Sequence, residues 1–284
     1  MIGSVGIFAR PHRDRIGAQL PDLVQWLKER KVQVHCDRFA AELVGTAPLS
    51  QEELMARIDL LVVLGGDGTL LTAARAASDR NVPVLPVNFG KLGFLTTVTL
   101  EELYATLDQV LRGEFETWTH MMFEAEVTRD GAPLDRCRAL NDAVLNKGLP
   151  AHMIEFQLLV DGQFVCSYRA DGIIFATPTG STGYSLSAGG PIVSPVIEAM
   201  VVTPICPHML SNRPLILPPS AHLAAQFMAG DEPAYLTVDG QIGAELRHGD
   251  TVRVRKSEKS LRLVRPLRRT YFEVLRSKLH WGER

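Results

Sequence analysis

Residues 60–71 have the sequence LLVVLGGDGTLL, and much of the fold can be inferred outward from them. Five apolar residues precede the turn Gly65-Gly66-Asp67-Gly68, and an apolar pattern with helical spacing follows it. This predicts a buried strand, a tight turn and a helix beginning near Thr69. Glycine lets a ligand approach the main chain closely, and the free N–H groups at a helix start favour an anion. The segment therefore predicts a phosphate-binding turn that carries one carboxylate, although an ordinary connector between strand and helix uses the same residues.

Strands and helices alternate through residue 112. The spacing of apolar residues predicts strands at 5–9, 32–36, 60–64 and 82–87, and helices at 16–27, 51–57, 69–77 and 99–112. Pro83 and Pro86 cannot donate a hydrogen bond to a neighbouring strand, so the last of these strands is expected at a sheet edge or strongly bent. The alternation predicts a first domain of the α/β class with a mostly parallel sheet.

The pattern changes near residue 115. Apolar and polar residues alternate over 123–128, and Asp130-Gly131 and Asp161-Gly162 stand where hairpin turns are expected. Further short strands separated by turn residues follow, among them 252–254 and 261–264. A second, all-β domain is therefore expected over residues 116–265. Helical character returns around 272–279, and we expect residues from about 266 to 284 to join residues 1–115 in the first domain.

Composition limits the partners of the chain. Thirty basic and 32 acidic residues give a formal net charge of −2, so no general attraction to nucleic acid or to a membrane surface is expected. The four cysteines lack C-x-x-C spacing, which favours reduced thiols over a disulfide or metal framework. No apolar run is long enough to span a bilayer. We therefore expect a cytoplasmic protein that binds neither nucleic acid nor membrane.

A second informative segment is 176–191, ATPTGSTGYSLSAGGP. Its hydroxyls, glycines and single tyrosine suit a nucleotide, although ordinary polar loops have the same composition. Asn141-Asp142 interrupts an apolar segment, 139–145, predicted as one strand. A buried carboxylate is costly unless paired, so the pair is expected to face a cleft and bind both hydroxyls of a ribose, with a local turn or bulge as the alternative. Arg169 and Asp171 precede a strand, where a turn with a surface ion pair is common.

Four segments together resemble the NAD kinase family: GGDGTLL at 65–71, NFGKLGFL at 88–95, Asn-Asp at 141–142 and TPTGSTGYSLSAGGPI at 177–192. The resemblance implies ATP-dependent phosphorylation of the adenosine ribose 2′-hydroxyl of NAD, giving NADP, with a divalent metal that is usually Mg²⁺. It also implies a β-sandwich-like C-terminal domain, a C-terminal tail that returns to the first domain, and a homodimer or homotetramer.

The resemblance assigns roles to single residues. Asp67 matches the catalytic aspartate, as a base, as an orienting group or as a possible metal ligand, and Asp142 stands where many members carry glutamate. Tyr184 is expected to stack on a ring of the dinucleotide. The phosphates of ATP would be bound by Gly65, Gly66, Gly68 and Thr69. The NAD-binding residues would be Asn88, Phe89, Asn141, Asp142, Arg169, Asp171, Thr179, Ser181, Thr182, Gly183, Tyr184 and Ser187.

Two other functions remain open at this point. A lipid or sugar kinase can use the same GGDGT turn, and would act on diacylglycerol-like or sugar substrates. A non-catalytic sensor would bind the dinucleotide without turning over ATP.

Overall fold

The computed structural model describes residues 2–10, 13–90, 92–148, 153–209, 211–229, 233–265 and 270–281. The chain divides into two compact units: unit 1 comprises Met1–Thr119 and Leu261–Arg284, and unit 2 comprises His120–Ser260. Among the described residues, none of the helices has the length and apolar character needed to cross a membrane.

Helices and strands alternate in the first part of the chain. In chain order they are β1 (Ser4–Ala9), α1 (Arg13–Glu29), β2 (Gln33–Cys36), α2 (Arg38–Val44), α3 (Gln51–Met55), β3 (Leu60–Leu64), α4 (Asp67–Asp79), β4 (Val84–Asn88), β5 (Val98–Thr99) and α5 (Leu103–Leu111).

Strands predominate from residue 117 onward. They are β6 (Thr117–Arg129), β7 (Ala132–Ala139), β8 (Asp142–Lys147), β9 (Ile154–Val160), β10 (Gln163–Ala170), β11 (Gly172–Ala176), β12 (Met200–Ile205), β13 (Leu215–Leu217), β14 (Leu223–Ala229), β15 (Ala234–Val238), β16 (Gln241–Leu246) and β17 (Thr251–Val264). A 3₁₀ turn at Gly180–Thr182 and the short helix α6 (Tyr184–Ser187) follow β11, and helix α7 (Tyr271–Leu279) follows β17.

Unit 1 is built on a parallel sheet with the order β2-β1-β3-β4. Every residue of β3 and β4 is buried, as continuous apolar strands covered on both faces require. Buried side chains from α1 and α5, such as Leu20, Leu23 and Leu107, complete the core. The α/β class predicted for this part of the chain is confirmed.

The expectation that β4 lies at an edge is wrong. It pairs with β3 on one side, and on the other side with Leu263 at Val84 and with β5 at its C-terminal end. The carbonyls of Pro83 and Val87 accept hydrogen bonds from the β3 side, so Pro86, which has the opposite parity, faces away from β3. On that side Pro86 lies between the pairing at Val84 and the pairing with β5. Its missing N–H therefore costs no hydrogen bond between strands.

Three helices also differ from the sequence prediction, and one of them, α5, begins at Leu103 and not at residue 99. Helix α4 begins at Asp67, not near Thr69, so the carboxylate lies in the first helical turn. Helix α2 was not predicted, although its signals are in the sequence. The Asp37 side chain caps it by accepting from the Ala40 N–H at 3.0 Å, and Gly45 ends it in the left-handed conformation.

Unit 2 consists of two antiparallel layers. One has the order β13-β12-β11-β8-β15-β16, and the other contains β10-β9-β14-β17 with the β6–β7 hairpin. Phe123 and Phe156 from one layer and Phe175 and Leu236 from the other belong to the same buried core. This is the arrangement of a β-sandwich, and it confirms the all-β class expected for the C-terminal part.

Asp-Gly turns form the hairpins as the sequence predicted. Asp130 and Asp161 both have φ of 50°, and the glycines after them have φ of 78° and 77°. Positive φ at both central residues is the geometry of a type I′ turn, which matches the twist of the strands that it joins.

Two strand predictions in this unit need correction. Residues 139–145 are not one strand, because β7 ends at Ala139, β8 begins at Asp142, and Asn141 lies in the bend between them. Conversely, the two strands expected near 252–254 and 261–264 are one continuous strand, β17.

Candidate active site

The glycine turn of unit 1 connects the buried end of β3 to α4. A side chain at Gly65 would collide with the hydroxyl of Thr69, so only glycine lets the strand end pack against the first helical turn. Gly66 precedes the helix in an extended conformation without a side-chain cap. The Thr69 and Leu70 N–H groups donate to the Gly66 carbonyl at 2.9 and 3.2 Å, so the N–H groups at this helix start that an anion could meet are those of Asp67 and Gly68.

Four hydrogen bonds hold the Asp67 carboxylate. Oδ2 accepts from the Phe94 N–H at 2.9 Å, and Oδ1 accepts from the Leu95 and Thr96 N–H groups at 3.3 and 3.0 Å. Thr96 Oγ1 lies 2.8 Å from Oδ1 as well. We call these donors from residues 94–96 the Asp67 cradle. It fixes a half-buried carboxylate in one orientation at the helix start.

Asn88 and Phe89 lie at the end of β4 and just after it. Both are buried: Asn88 accepts from the Gly90 N–H at 2.7 Å and donates to Thr96 Oγ1 at 2.8 Å, while Phe89 belongs to the core of unit 1. Asn88 therefore touches the Asp67 cradle, and its predicted contact with NAD stays a prediction.

In unit 2 the bend between β7 and β8 is held by a carboxylate from another strand end. Asp239 accepts from the N–H groups of Leu140, Asn141 and Asp142 at 2.9, 2.8 and 3.2 Å. The Asp239 N–H in turn donates to the Asp142 carbonyl at 3.0 Å. Three successive N–H groups on one buried carboxylate fix the backbone that presents Asn141 and Asp142.

The loop that begins at Thr177 packs directly on this bend. The Thr177 N–H donates to the Asn141 carbonyl at 2.9 Å, and its hydroxyl donates to the Leu140 carbonyl at 2.6 Å. A side chain at Gly180 would collide with the backbone of Asn141. The structure thus brings together two segments that the sequence analysis had selected separately.

Hydroxyls of the loop are engaged inside unit 2. Ser181 is fully buried, lies 2.7 Å from the Pro178 carbonyl and accepts from the Val193 N–H at 2.9 Å. Thr182 donates to the Thr179 carbonyl at 3.3 Å. In this conformation these two hydroxyls stabilise the loop backbone, and their predicted contact with NAD stays a prediction.

Thr179 rests on a buried histidine. Its hydroxyl lies 2.9 Å from Nδ1 of His120, and burial lowers the pKa of that imidazole to about 4. His120 is therefore neutral near pH 7 and acts as a fixed polar support under the loop.

Asp142 is the most strongly perturbed carboxyl group near the bend. Burial, and then the charge of Asp239, raise its pKa to about 7. Gly183 keeps the space beside it open, because a side-chain carbon there would stand 3.7 Å from Asn141 Nδ2 and 3.9 Å from Asp142 Oδ2.

Tyr184 begins α6 and is 44% exposed. Burial of its hydroxyl end raises its pKa, with smaller contributions from the charges of Cys206, Asp171 and Asp142. Nearly half of the residue is therefore accessible, within electrostatic range of Asp142.

Three predicted residues lie further along the surface of unit 2. Asp171 forms an ion pair with Lys147 at 2.6 Å, and Arg169 lies 3.8 Å from the carboxylate of Glu155. Ser187, in the last position of α6, is exposed. Asp171 lies near Tyr184, whereas Arg169 is engaged with β9.

The described residues contain no cluster of three or more His, Cys, Asp or Glu side chains suited to a metal ion. Among the described residues, the carboxylate oxygen Oδ2 of Asp67 accepts one hydrogen bond, from the Phe94 N–H. A site of this kind suits Mg²⁺, which usually takes one or two carboxylates and completes its shell with substrate phosphates and water.

Sequence reasoning missed Thr96, His120 and Asp239. Asp239-Gly240 has the same Asp-Gly signature as the two hairpin turns, with φ of 50° and 74°, so only the fold shows that its carboxylate holds residues 140–142. Thr96 and His120 carried no motif of their own. They act through neighbours that are distant in sequence, which spacing cannot show.

Comparison with known proteins gives the same family for both parts of the chain. Residues 5–115 match the family model of the ATP-NAD kinase N-terminal domain, and residues 140–266 match that of the ATP-NAD kinase C-terminal domain. The chain is 47% identical to an NAD kinase of Solibacter usitatus, over 100% of this chain and 99% of the relative. It is 46% identical to an NAD kinase of Geobacter metallireducens, over 99% of each chain.

Solved structures agree. Yeast NADH kinase complexed with NADH is similar with a TM-score of 0.90 and 29% identity, covering 100% of this chain and 89% of that one. An NAD kinase from Archaeoglobus fulgidus in complex with ATP is similar with a TM-score of 0.77 and 26% identity, covering 96% and 99%. Because the two family models match residues 5–115 and 140–266, and a relative 47% identical over the full length is an NAD kinase, the chain belongs to the ATP-NAD kinase family.

Proposed function

We infer that this protein transfers the γ-phosphoryl group of ATP to the 2′-hydroxyl of the adenosine ribose of NAD, giving NADP and ADP. The observation that carries the assignment is the Asp67 cradle: a carboxylate fixed in the first turn of α4, at a helix start without a side-chain cap. Relatives that are NAD kinases, one of them in complex with ATP, support the same pair of substrates. They do not favour a lipid or sugar kinase.

Different residues are proposed to bind the phosphates of ATP and the ribose and ring of NAD. Phosphoryl transfer depends on in-line positioning and on stabilising the charge of the transferred group. In our proposal Gly65, Gly66, Gly68 and Thr69 bind phosphate oxygens through the turn and the helix start. Asn141 and Asp142 form hydrogen bonds with the ribose hydroxyls: both can accept, and the amide of Asn141 can also donate. Tyr184 stacks on a ring of NAD.

The chemical step is a substitution at phosphorus. The 2′-oxygen of the ribose forms a bond to the γ-phosphorus, and the bond from that phosphorus to the β,γ-bridging oxygen breaks. ADP leaves with the electron pair. Asp67 accepts the hydrogen bond of the attacking hydroxyl and, in our proposal, receives its proton.

Mg²⁺ is the divalent metal that we propose, held mainly by ATP phosphates and water. Asp67 would be its protein ligand only in place of the attacking hydroxyl, because both need the open position on Oδ2. When bound, Mg²⁺ neutralises charge on the phosphates. The orientation of Asp67 does not depend on the metal, since the cradle consists of protein donors.

We further propose that the enzyme is a homodimer or homotetramer and acts in the cytoplasm. The family resemblance supports both statements, and the near-neutral net charge of −2 is compatible with a protein that binds neither membrane nor nucleic acid. Light scattering coupled to size exclusion measures the oligomer directly.

One assay tests the function against its alternatives. Purified protein is incubated with ATP, Mg²⁺ and NAD, and NADP is measured with a dehydrogenase specific for NADP. We expect one NADP per ADP formed, and no phosphorylation of diacylglycerol or a hexose phosphate in parallel reactions. Folded protein that binds NADP yet makes none would support a sensor and overturn the assignment.

The Asp67→Asn variant tests the role of the carboxylate. Asparagine keeps the size and one acceptor oxygen, but it removes the charge and the proton acceptor. We expect kcat to fall by about 10²–10⁴-fold, with KM for NAD changed far less. Asp79→Asn, at the other end of the same helix, is the matched control. Equal losses in kcat and NAD affinity would assign Asp67 to binding.

A further inference from the structure

The direction of the hydrogen bonds behind Asp67 is fixed by one backbone group. The Gly90 N–H can only donate, so the Asn88 side-chain oxygen must face it, at 2.7 Å. The amide nitrogen of Asn88 then points at Thr96 Oγ1, 2.8 Å away, and donates to it. Asn88 is buried, with 7% of its surface exposed, so water does not compete freely for these bonds.

The Thr96 hydroxyl has a single hydrogen, and its neighbours determine the group to which it donates. Its hydroxyl oxygen already accepts from Asn88, and Asp67 Oδ1 lies 2.8 Å away on a residue that offers only acceptors. Thr96 is completely buried. The chain of donors runs from Asn88 to Thr96 and from Thr96 to Asp67.

The two oxygens of Asp67 are consequently unlike each other. Among the described residues, Oδ1 accepts three hydrogen bonds, two from N–H groups and one from the Thr96 hydroxyl, whereas Oδ2 accepts one, from the Phe94 N–H. Each oxygen of a carboxylate has about two acceptor positions. Oδ1 is therefore saturated by these contacts, and an open position is on Oδ2.

Gly93 shows how closely the cradle fits. A side-chain carbon there would collide with both Asp67 Oδ1 and Thr96 Oγ1. The loop thus approaches the carboxylate at a distance that only glycine permits, on the side of the saturated oxygen.

We propose that Thr96, oriented by Asn88, is a positioning residue that ties down Oδ1 of Asp67 and so makes Oδ2 the oxygen that meets the substrate hydroxyl. The proposal rests on the proposed function for its kinetic consequence. The hydrogen-bond direction that it states belongs to the protein alone. Thr96 itself touches Asp67 and not the substrate.

The kinetic test uses two substitutions of Thr96. Thr96→Val keeps the shape and removes the hydroxyl, and we expect kcat to fall about 10–100-fold, because small displacements of a positioned group cost rates of this order. KM for ATP should change less than about threefold, since the groups proposed to bind its phosphates are untouched. Thr96→Ser restores the hydroxyl and should recover most of kcat.

Controls separate positioning from folding. Thr72 lies on α4, the helix that carries Asp67, and its hydroxyl donates to the Gly68 carbonyl. Thr72→Val removes this hydroxyl and should leave kcat unchanged. Thermal unfolding shows whether each variant is folded. A folded Thr96→Val enzyme with wild-type kcat, or equal losses in the valine and serine variants, would overturn the proposal.

A crystal structure of Thr96→Val gives a second readout that needs no activity. We expect the Asp67 carboxylate to rotate about its side-chain bond, so that Oδ1 leaves hydrogen-bond distance of the residue 96 N–H, and to stay in place in Thr96→Ser. An unmoved carboxylate in the valine variant would refute the role of Thr96. If wild-type protein makes no NADP, the proposed function fails, while this measurement still decides the inference about Thr96.

Discussion

At the scale of single residues, Asp142 couples the chemistry of the site to pH. Its pKa is raised to about 7, first by burial and then by the charge of Asp239, so it changes charge near neutrality. Above pH 7 the carboxylate offers only acceptors to the ribose hydroxyls that we propose it binds, and below it one oxygen carries a proton and an acceptor is lost.

We therefore expect KM for NAD to rise as pH falls from about 8 to 6, following the protonation of Asp142. In Asp142→Asn the neutral side chain does not titrate, so KM should be higher at pH 8 and nearly independent of pH over this range. Initial rates at fixed ATP measure both profiles. Parallel pH profiles for the variant and the wild type would assign the titration to another group, such as the substrate.

Tyr184 is the residue for which stacking is expected. Its ring is 44% exposed beside Asp142, and base–aromatic contacts are typically worth about 1–3 kcal/mol. Tyr184→Ala should weaken NAD binding by about 1–2 kcal/mol, roughly 5–30-fold in Kd, with kcat changed little. Tyr184→Phe keeps the ring and is the control. Calorimetric titration that finds the same Kd in the alanine variant would exclude stacking.

At the scale of structural elements, the bend between β7 and β8 depends on a residue at the end of β15. Asp239 holds three N–H groups of this bend, so Asp239→Ala leaves them without their acceptor. A buried donor without a partner costs about 1–3 kcal/mol. We expect the free energy of unfolding to fall by at least about 2 kcal/mol, and NAD to bind more weakly because residues 140–142 lose their support.

Asp130→Ala is the matched control for that variant. Asp130 and Asp239 both have φ of 50° and are followed by glycine. Alanine therefore introduces the same backbone strain at either position. Urea denaturation of the two proteins isolates the contribution of the three hydrogen bonds. Equal destabilisation of both would show that the Asp239 carboxylate adds nothing beyond its turn.

Elements with strong local signals could be predicted, and those set by distant partners could not. The apolar run of β3, its glycine turn and the Asp-Gly hairpins carry their conformations in adjacent residues. The interior position of β4 could not be predicted, because it depends on Leu263, which pairs with Val84 from nearly two hundred positions away. The Asp67 cradle was missed for the same reason, since its donors lie 27 to 29 residues further along the chain.

At the scale of the whole molecule, substrate binding should be visible as stability. A ligand that binds only the folded chain stabilises it by about 2.7 kcal/mol at one hundred times its Kd. We expect NAD and ATP with Mg²⁺ each to raise the unfolding temperature, and NAD to raise that of Tyr184→Ala less at the same concentration. Scanning fluorimetry across a concentration series measures this. Absence of any shift at millimolar NAD in wild type would contradict dinucleotide binding.

Unit 1 has a consequence for the order in which the protein can fold during synthesis. It is assembled from both ends of the chain: Leu263 pairs with β4, Val264 enters its core, and α7 belongs to it. Unit 2 is one contiguous segment of the chain, whereas unit 1 needs residues from both sides of it. The domain that carries the Asp67 carboxylate therefore stays incomplete until the chain beyond residue 260 has been made, although Asp67 itself is among the first residues synthesised.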